Sequence, residues 1–437
     1  MRRGRLIALA ASGAILVALT GLGLVFQSED DPERFLAVAL LQAAVYLAAV
    51  WLTWNDGSSR RLVMGIALVA ALMRIPVLWA PPYLSTDVYR YVWDGRVIAA
   101  GVNPYRYVPA DPHLEGLQDP DIFPNINRAD TAVTIYPPLA ELIFLIGTRV
   151  SESVTAMKAA MVGFEIIALA FLVRLLAADG LPRGRVIVYA WHPLPLWEFA
   201  GSGHIDAALI AFMLAALWAV RRRGDGLAGL FLAGATLTKL YPAVLLPALY
   251  RRWGWAMPIV FAGTIILAYL PFIGVGWHVS GFLPGYAGEE GFDAGGSGFY
   301  LLGLLHQLPP LSGVSGRAYA IGAAVILAIM AAATVLRRDT TRPPVAGAML
   351  LATTFMVLVS PHYPWYFAWL IVFACFIRSA ALLWLTTACL LLYLVPVGSH
   401  FVRDEHRLMI ESIIYGPFAV LAVIDLWYYR RRTTRGG

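Results

Sequence analysis

Apolar residues run along this chain in blocks close to the ~20 residues that an α-helix needs to cross the hydrocarbon core of a bilayer. The blocks fall at 6–26, 35–54, 62–80 and 155–177, then at 186–199, 205–220, 255–273, 318–336, 345–359, 365–377, 382–397 and 408–426. With the shorter segment 228–250, the pattern predicts about 12 to 14 spans and an all-α, polytopic transmembrane protein. The first block is too long for a secretory signal and lacks a small-residue cleavage site, so it reads as a helix.

Composition agrees with this pattern. Hydrophobic residues make up 59% of the 437 positions and charged residues only 14%, and mean hydropathy is +0.69, outside the range of soluble globular chains. The net charge of +6 resides in arginines beside the spans, which argues against a nucleic-acid partner. Lys and Arg flanking spans are retained on the cytoplasmic side. Arg2, Arg3, Arg5, Arg60, Arg61, Arg183, Arg185, Arg221–Arg223, Arg251, Arg252, Arg337, Arg338 and Arg430–Arg432 therefore place both termini in the cytoplasm of a cell-membrane protein. Residues 1–437 read as one integral-membrane unit, with extracytoplasmic loops at 81–134 and 275–298.

This topology puts the polar clusters on the extracytoplasmic side. They are the loop 81–134, the turn 201–206 (GSGHID), the loop 275–298, the turn 360–366 (SPHYPWY) and the turn 398–407 with His400, Arg403, Asp404, His406 and Arg407. The cytoplasmic connectors are too short for a catalytic domain, and no phosphate-cradling glycine loop is visible. Densest in charge and aromatics is 85–107, STDVYRYVWDGRVIAAGVNPYRY. As a helix from Thr86, it places Asp87, Arg90, Tyr91 and Asp94 on one face at i, i+3, i+4 and i+7. Two readings are open: a surface salt bridge from Arg90 to Asp87 or Asp94, or a site, since ionisable groups at the end of an apolar span are costly. His204 and Asp206 are spaced poorly for two metal ligands on one helix face. Lys239 is either a snorkelling side chain or a phosphate ligand, and His362 either a cap or a site residue. Glu141, Glu165 and Glu198 lie in or beside apolar segments and need partners. Cys375 and Cys389, on separate spans, suggest neither a disulfide framework nor a metal site.

The Asp87 loop, the Tyr136-Pro137-Pro138 return, GSGHID, LTKLYP at 237–242 and SPHYPWY, taken in that order, resemble the bacterial polyprenyl-phosphate-mannose-dependent mannosyltransferases of the GT-C superfamily. The resemblance runs from about 81 to about 369, and two spans precede the helix leading into the Asp87 loop, where the simplest members have none. It implies a GT-C-like fold whose first extracytoplasmic loop contains short interfacial helices. It also implies inverting transfer of a sugar, mannose foremost, from a polyprenyl-phosphate donor in the membrane lipid to a glycolipid or glycan acceptor, with no cofactor and no metal. By the same resemblance Asp87 is the general base and Asp94 its fallback. Arg90, Arg96, Arg106, His204, Asp206, Lys239, Tyr241, His362 and Tyr363 are the residues expected to hold substrate. The rival reading is a lipid-linked-sugar flippase or secondary transporter, which often shows paired broken helices in two repeated halves; no internal repeat is evident here.

Overall fold

The computed structural model describes residues 3–55, 59–250, 253–289, 298–337, 344–395 and 405–435. They form helices joined by turns and loops, with no strand among the described residues. Two long apolar helices open the chain, α1 (Arg3–Ser28) and α2 (Pro32–Thr53), packed on each other as a hairpin. The Asp31 side chain caps α2 by accepting from the Arg34 N–H, with Pro32 at the first helical position, a pairing that satisfies or removes amides left free at a helix start. Next comes α3 (Arg60–Trp79), capped by Ser59.

Two helices of 13 residues, α4 (Asp87–Ala99) and α5 (Pro138–Val150), flank the loop 100–137. At 1.5 Å per residue each is about 20 Å long, short of the ~30 Å hydrocarbon core. The two pack so closely that a Cβ on Gly95 would lie 2.5 Å from the Phe144 carbonyl oxygen. Only glycine admits that approach, and it fixes the height of α4 against α5. A full-length helix, α6 (Val154–Ala178), follows.

The two apolar runs at 186–199 and 205–220 are set at a sharp angle, as the polar turn between them predicts. Pro193–Gly201 and α7 (Asp206–Arg221) meet at a bend of 119°, and Leu196–Gly201 is wound as a π-helix. The remaining principal helices are α8 (Asp225–Thr236), α9 (Ala256–Tyr269), α10 (Leu283–Glu289), α11 (Gly316–Arg337), α12 (Val345–Val359), α13 (Ala380–Ala388) and α14 (Glu405–Arg435). By length and composition, seven helices among the described residues are able to cross a membrane, or eight if the bent pair is one span, beside three shorter apolar helices. This is fewer than the 12 to 14 apolar runs of the sequence. The difference arises where a run forms a helix too short to cross, as at Val345–Val359, Pro364–Phe376 and Ala380–Leu394, or is broken by a proline inside it, as at Pro193 and Pro242.

Polar contacts lock these helices together where hydrophobic contrast with lipid gives little drive. Trp197 Nε1 donates to Gln42 Oε1 at 2.8 Å, Gln42 Nε2 to Thr20 Oγ1 at 3.0 Å, and the Tyr46 hydroxyl to the Val188 carbonyl at 2.9 Å. The N-terminal hairpin is thereby tied to the bent helix. Lys158 on α6 donates to the carbonyls of Val77 (3.0 Å) and Ala80 (2.6 Å), closing the C-terminal end of α3 just before the Asp87 segment. Glu165 has found its partner in Arg74. The pair is bidentate at 2.7 and 3.0 Å and buried between α3 and α6, and Arg74 also donates to the Ala190 carbonyl.

Beneath the loop, Thr134 Oγ1 donates to Glu141 Oε1 at 2.5 Å, while Glu141 Oε2 has no hydrogen-bond partner among the described residues. Burial, and after it the neighbouring Asp94 charge, pushes the Glu141 carboxyl well above the usual glutamate range. Burial raises Asp94 too, against the pull of Arg90.

Arg74→Met leaves a buried, uncompensated Glu165 and should lower stability by about 3–5 kcal/mol, whereas the double change Arg74→Met with Glu165→Met should recover most of it. Thermal unfolding in detergent checks this, and equal losses in both variants would contradict it. A carboxyl raised on folding stabilises fully below its unfolded range, near ~4.3, and loses that contribution as pH rises through the folded value. The melting temperature of the wild type should therefore fall as pH rises across that window, and Glu141→Gln should flatten the slope.

Candidate active site

Three of the segments predicted to share one side of the membrane, 81–134, 275–298 and 360–366, meet around one cavity of about 750 Å³. Its walls come from 83–87 and Arg90, from 127–137, from Lys239, Leu240 and Tyr241, from Phe282, Leu283 and Tyr286, and from Phe355, Tyr363, Trp365 and Tyr366. The size lies within the range of small-molecule sites. A smaller recess of about 230 Å³ adjoins it past Tyr241, Tyr286 and Tyr366, lined mainly by apolar side chains such as Leu283, Phe355, Met356 and Val359. The Tyr286 and Tyr366 hydroxyls hydrogen-bond at 2.7 Å where α10 meets the 364–370 turn.

Asp87 opens α4, as the spacing predicts, and its side chain is 23% exposed, in the cavity wall. Asn127 Nδ2 donates to Oδ1 at 2.8 Å, and the Tyr136 hydroxyl lies 3.5 Å from Oδ2. The open question of which carboxylate Arg90 pairs with is resolved by geometry: Arg90 Nε binds Asp94 Oδ1 at 2.8 Å and its NH1 donates to the Ala132 carbonyl at 2.9 Å. Asp94 is consequently buried behind Arg90, outside the cavity lining, and Asp87 alone of the two faces the space. Arg90 lines the cavity with these bonds already made.

Arg96 and Arg106 lie elsewhere. Arg96 binds Asp119, Glu152 at 2.8 Å and the Leu117 carbonyl at 2.9 Å, clamping the loop onto α4 and onto the turn between α5 and α6. Burial, the largest single influence on Asp119, pushes its carboxyl up, but the hydrogen bonds from Arg96 and from the Ile122 and Asp121 amides together with the Arg96 charge outweigh it and hold the group below the ordinary carboxylate range. Arg106 is exposed and does not line the cavity.

Lys239 and Tyr241 both reach the cavity and both bind Asp206, at 2.7 Å each. Asp206, at the start of α7, is a buried anchor for those two side chains. Lys239 Nζ also sits 4.5 Å from the centre of the Tyr366 ring, a favourable cation–π placement. His204 lies in the bend before α7, fully buried beneath Asp87 and stacked on Trp365 at 4.1 Å. The bend is held open for it by Gly203, at φ +76°, where a Cβ would meet Val88 at 2.9 Å. Tyr363 lines the cavity and stacks on the other face of Trp365. His362 is buried beside it, with Nε2 3.2 Å from the Gly298 carbonyl, and does not line the cavity.

Two wall residues escaped the sequence reading, Asn127 and Arg128. They lie in a loop without periodicity, forty residues beyond Asp87. The left-handed φ of +54° at Arg128, uncommon for a side chain of that size, is invisible in sequence. Glu198 lies behind His204 and accepts from the Tyr393 hydroxyl. Among the described residues, no three His, Cys, Asp or Glu side chains are grouped to hold a metal ion. Of the late charged turn, His400, Arg403 and Asp404 lie outside the described residues, as do 290–297 of the second loop.

In kind, the site pairs one cavity-facing carboxylate with three basic side chains, Arg90, Arg128 and Lys239, beside an apolar recess, suited to moving a proton from a bound hydroxyl while an anion is held nearby. A probable alpha-(1->6)-mannopyranosyltransferase of Mycolicibacterium smegmatis (strain ATCC 700084 / mc(2)155) is 32% identical over 127 residues, 25% of this chain and 22% of that protein's length. No solved structure matches the chain. Residues 5–256 match the family model described as "Alpha-(1->6)-mannopyranosyltransferase, N-terminal domain". That match includes the two N-terminal spans, the Asp87 loop, GSGHID and LTKLYP, and ends before SPHYPWY. It takes in more than half of the chain, which therefore belongs to the MptA_B family.

Proposed function

We propose that this chain transfers a mannosyl residue from a polyprenyl-phosphate donor to a hydroxyl of a glycolipid or glycan acceptor, on the extracytoplasmic face and with inversion. The observation that carries the reading is the placement of Asp87 in the wall of the same cavity as Lys239 and Arg128, beside an apolar recess. Asp87 accepts the proton of the acceptor hydroxyl. The acceptor oxygen then bonds to the anomeric carbon, and the carbon–oxygen bond to the lipid phosphate breaks with its electron pair on the phosphate. A positioned carboxylate suits the first task. The developing phosphate charge is met by cations: Lys239, held by Asp206, and Arg128, which lines the same cavity.

An inverting enzyme that makes an α linkage consumes a β-linked donor, and the family and the mycobacterial relative both carry the α-(1→6) linkage in their names. The isoprenoid chain remains in lipid, and the recess lined by Leu283, Phe355, Met356 and Val359 gives its first units an apolar seat. The run of arginines beside the opposite ends of the spans supports the extracytoplasmic placement.

Purified protein reconstituted with polyprenyl-phosphate-mannose and a host membrane-lipid extract should consume donor and yield a mannosylated product. Asp87→Asn should lower turnover by about 10²–10⁴-fold with the melting temperature retained; equal activity would remove Asp87 as base. Lys239→Met should raise the donor KM more than it lowers kcat, and wild-type turnover with another lipid-linked sugar but not with mannose would reassign the donor.

A further inference from the structure

Behind Asp87 lies a set of buried polar atoms for which the transfer, as drawn above, has no use. His204 is held flat against Trp365, with Nδ1 3.9 Å from Asp87 Oδ2 and Nε2 3.5 Å from Glu198 Oε2. Among the described residues, neither ring nitrogen nor Glu198 Oε2 has a hydrogen-bond partner. The other Glu198 oxygen accepts from the Tyr393 hydroxyl. Three unpartnered buried atoms in one row require an explanation, because each lost bond costs about 1–3 kcal/mol.

Proton arithmetic allows one arrangement in which every contact is donor to acceptor. A neutral imidazole has one N–H and one bare nitrogen. Glu198 is fully buried and, among the described residues, no Lys or Arg lies within ion-pair range of its oxygens, so a proton on Oε2 removes the cost of a bare buried charge. That proton points at Nε2, which leaves the imidazole N–H on Nδ1, facing Asp87. The opposite tautomer would set bare Nδ1 against the Asp87 carboxylate, acceptor against acceptor.

We propose that Tyr393, Glu198 and His204 form a one-way hydrogen-bond relay that positions Asp87 from behind, with His204 as the positioning residue. This rests on the reading of Asp87 as general base. Hydrogen bonds of this kind are often long in an empty site and tighten when substrate is bound, and a third group orienting a second is the general logic of activated acid–base pairs. Trp365, which also lines the cavity, is stacked between Tyr363 and His204 and holds the imidazole in place. No proton travels along the relay; the acceptor's proton goes to Asp87. Among the described residues the other charge that acts on His204 is Lys239, already paired with Asp206, and Asp87 itself is flanked by Tyr136, which contacts Tyr91.

The test compares kcat, donor KM, pH profile and melting temperature in reconstituted protein. His204→Phe keeps the stacked ring and removes both nitrogens. It should lower kcat by about 10-fold or more, leave donor KM within about twofold, and move the acid limb of the kcat profile up by about one pH unit, as loss of a donor to a charged base does. Glu198→Ala should act in the same direction, and Glu198→Gln should rescue it, because its amide nitrogen donates to Nε2 and its oxygen accepts from Tyr393. His204→Asn supplies a second variant if the Phe form fails to fold: its amide nitrogen stands near the place of Nδ1, and the acid limb should return toward wild type. A fall in kcat with an unmoved acid limb, or Gln no better than Ala at 198, overturns the relay while an inactive Asp87→Asn leaves the base in place. An active Asp87→Asn overturns the base and the relay together.

Discussion

The guanidinium of Arg90, buried between Asp94 Oδ1 and the Ala132 carbonyl, ties the first turn of α4 to the returning strand of the loop. Its Nε goes to Asp94 and its NH1 to the Ala132 carbonyl, which turns the fork away from Asp87, three residues earlier on the same face. Asp87 is thereby left to the cavity, where Asn127 from the same loop sets one of its oxygens. Neighbouring contacts reinforce the arrangement: Gly95 seats α4 on α5, and Arg96 clamps the loop through Asp119 and Glu152. The arginines near the site are thus divided between construction and the cavity.

A second constraint comes from the bend between Gly201 and Asp206. Irregular backbone at membrane depth persists only where protein or a polar cavity satisfies it. Here the bend delivers His204 beneath Asp87 and starts α7 with Asp206, which holds Lys239 and Tyr241 at the wall. Lys158 closes α3 on the far side of the same glycine turn, with its side chain against Gly203. The break in the apolar run and the site are therefore one feature. Its polar residues interrupt the span because they are needed at its end.

Much of the site was legible in the chain because its residues come as short local motifs. The face shared by Asp87, Arg90 and Asp94 follows from helical spacing, and GSGHID, LTKLYP and SPHYPWY stand out as polar interruptions in apolar runs. The residues missed share a different property. Asn127 and Arg128 belong to an aperiodic loop, and Arg74, inside an apolar helix, meets Glu165 across 91 positions. Arg96 and Arg106 were legible as cations but not as cations placed elsewhere, since their distance from the cavity depends on how the loop folds back.

Sequence by itself determined the solvent and the class of structure. Hydropathy over windows of about 20 residues is a local sum, and it demands an all-helical membrane protein whichever way the helices pack. It also placed the unusual polar segments, because a polar cluster in an apolar chain is costly wherever it lies. Only the tertiary structure decided which carboxylate faces the cavity, which arginine is engaged, and the 119° angle at which the segments on either side of the 201–206 turn meet. Those outcomes depend on pairings between residues far apart in the chain, where direction and distance, absent from any local pattern, select one partner among several of the right charge.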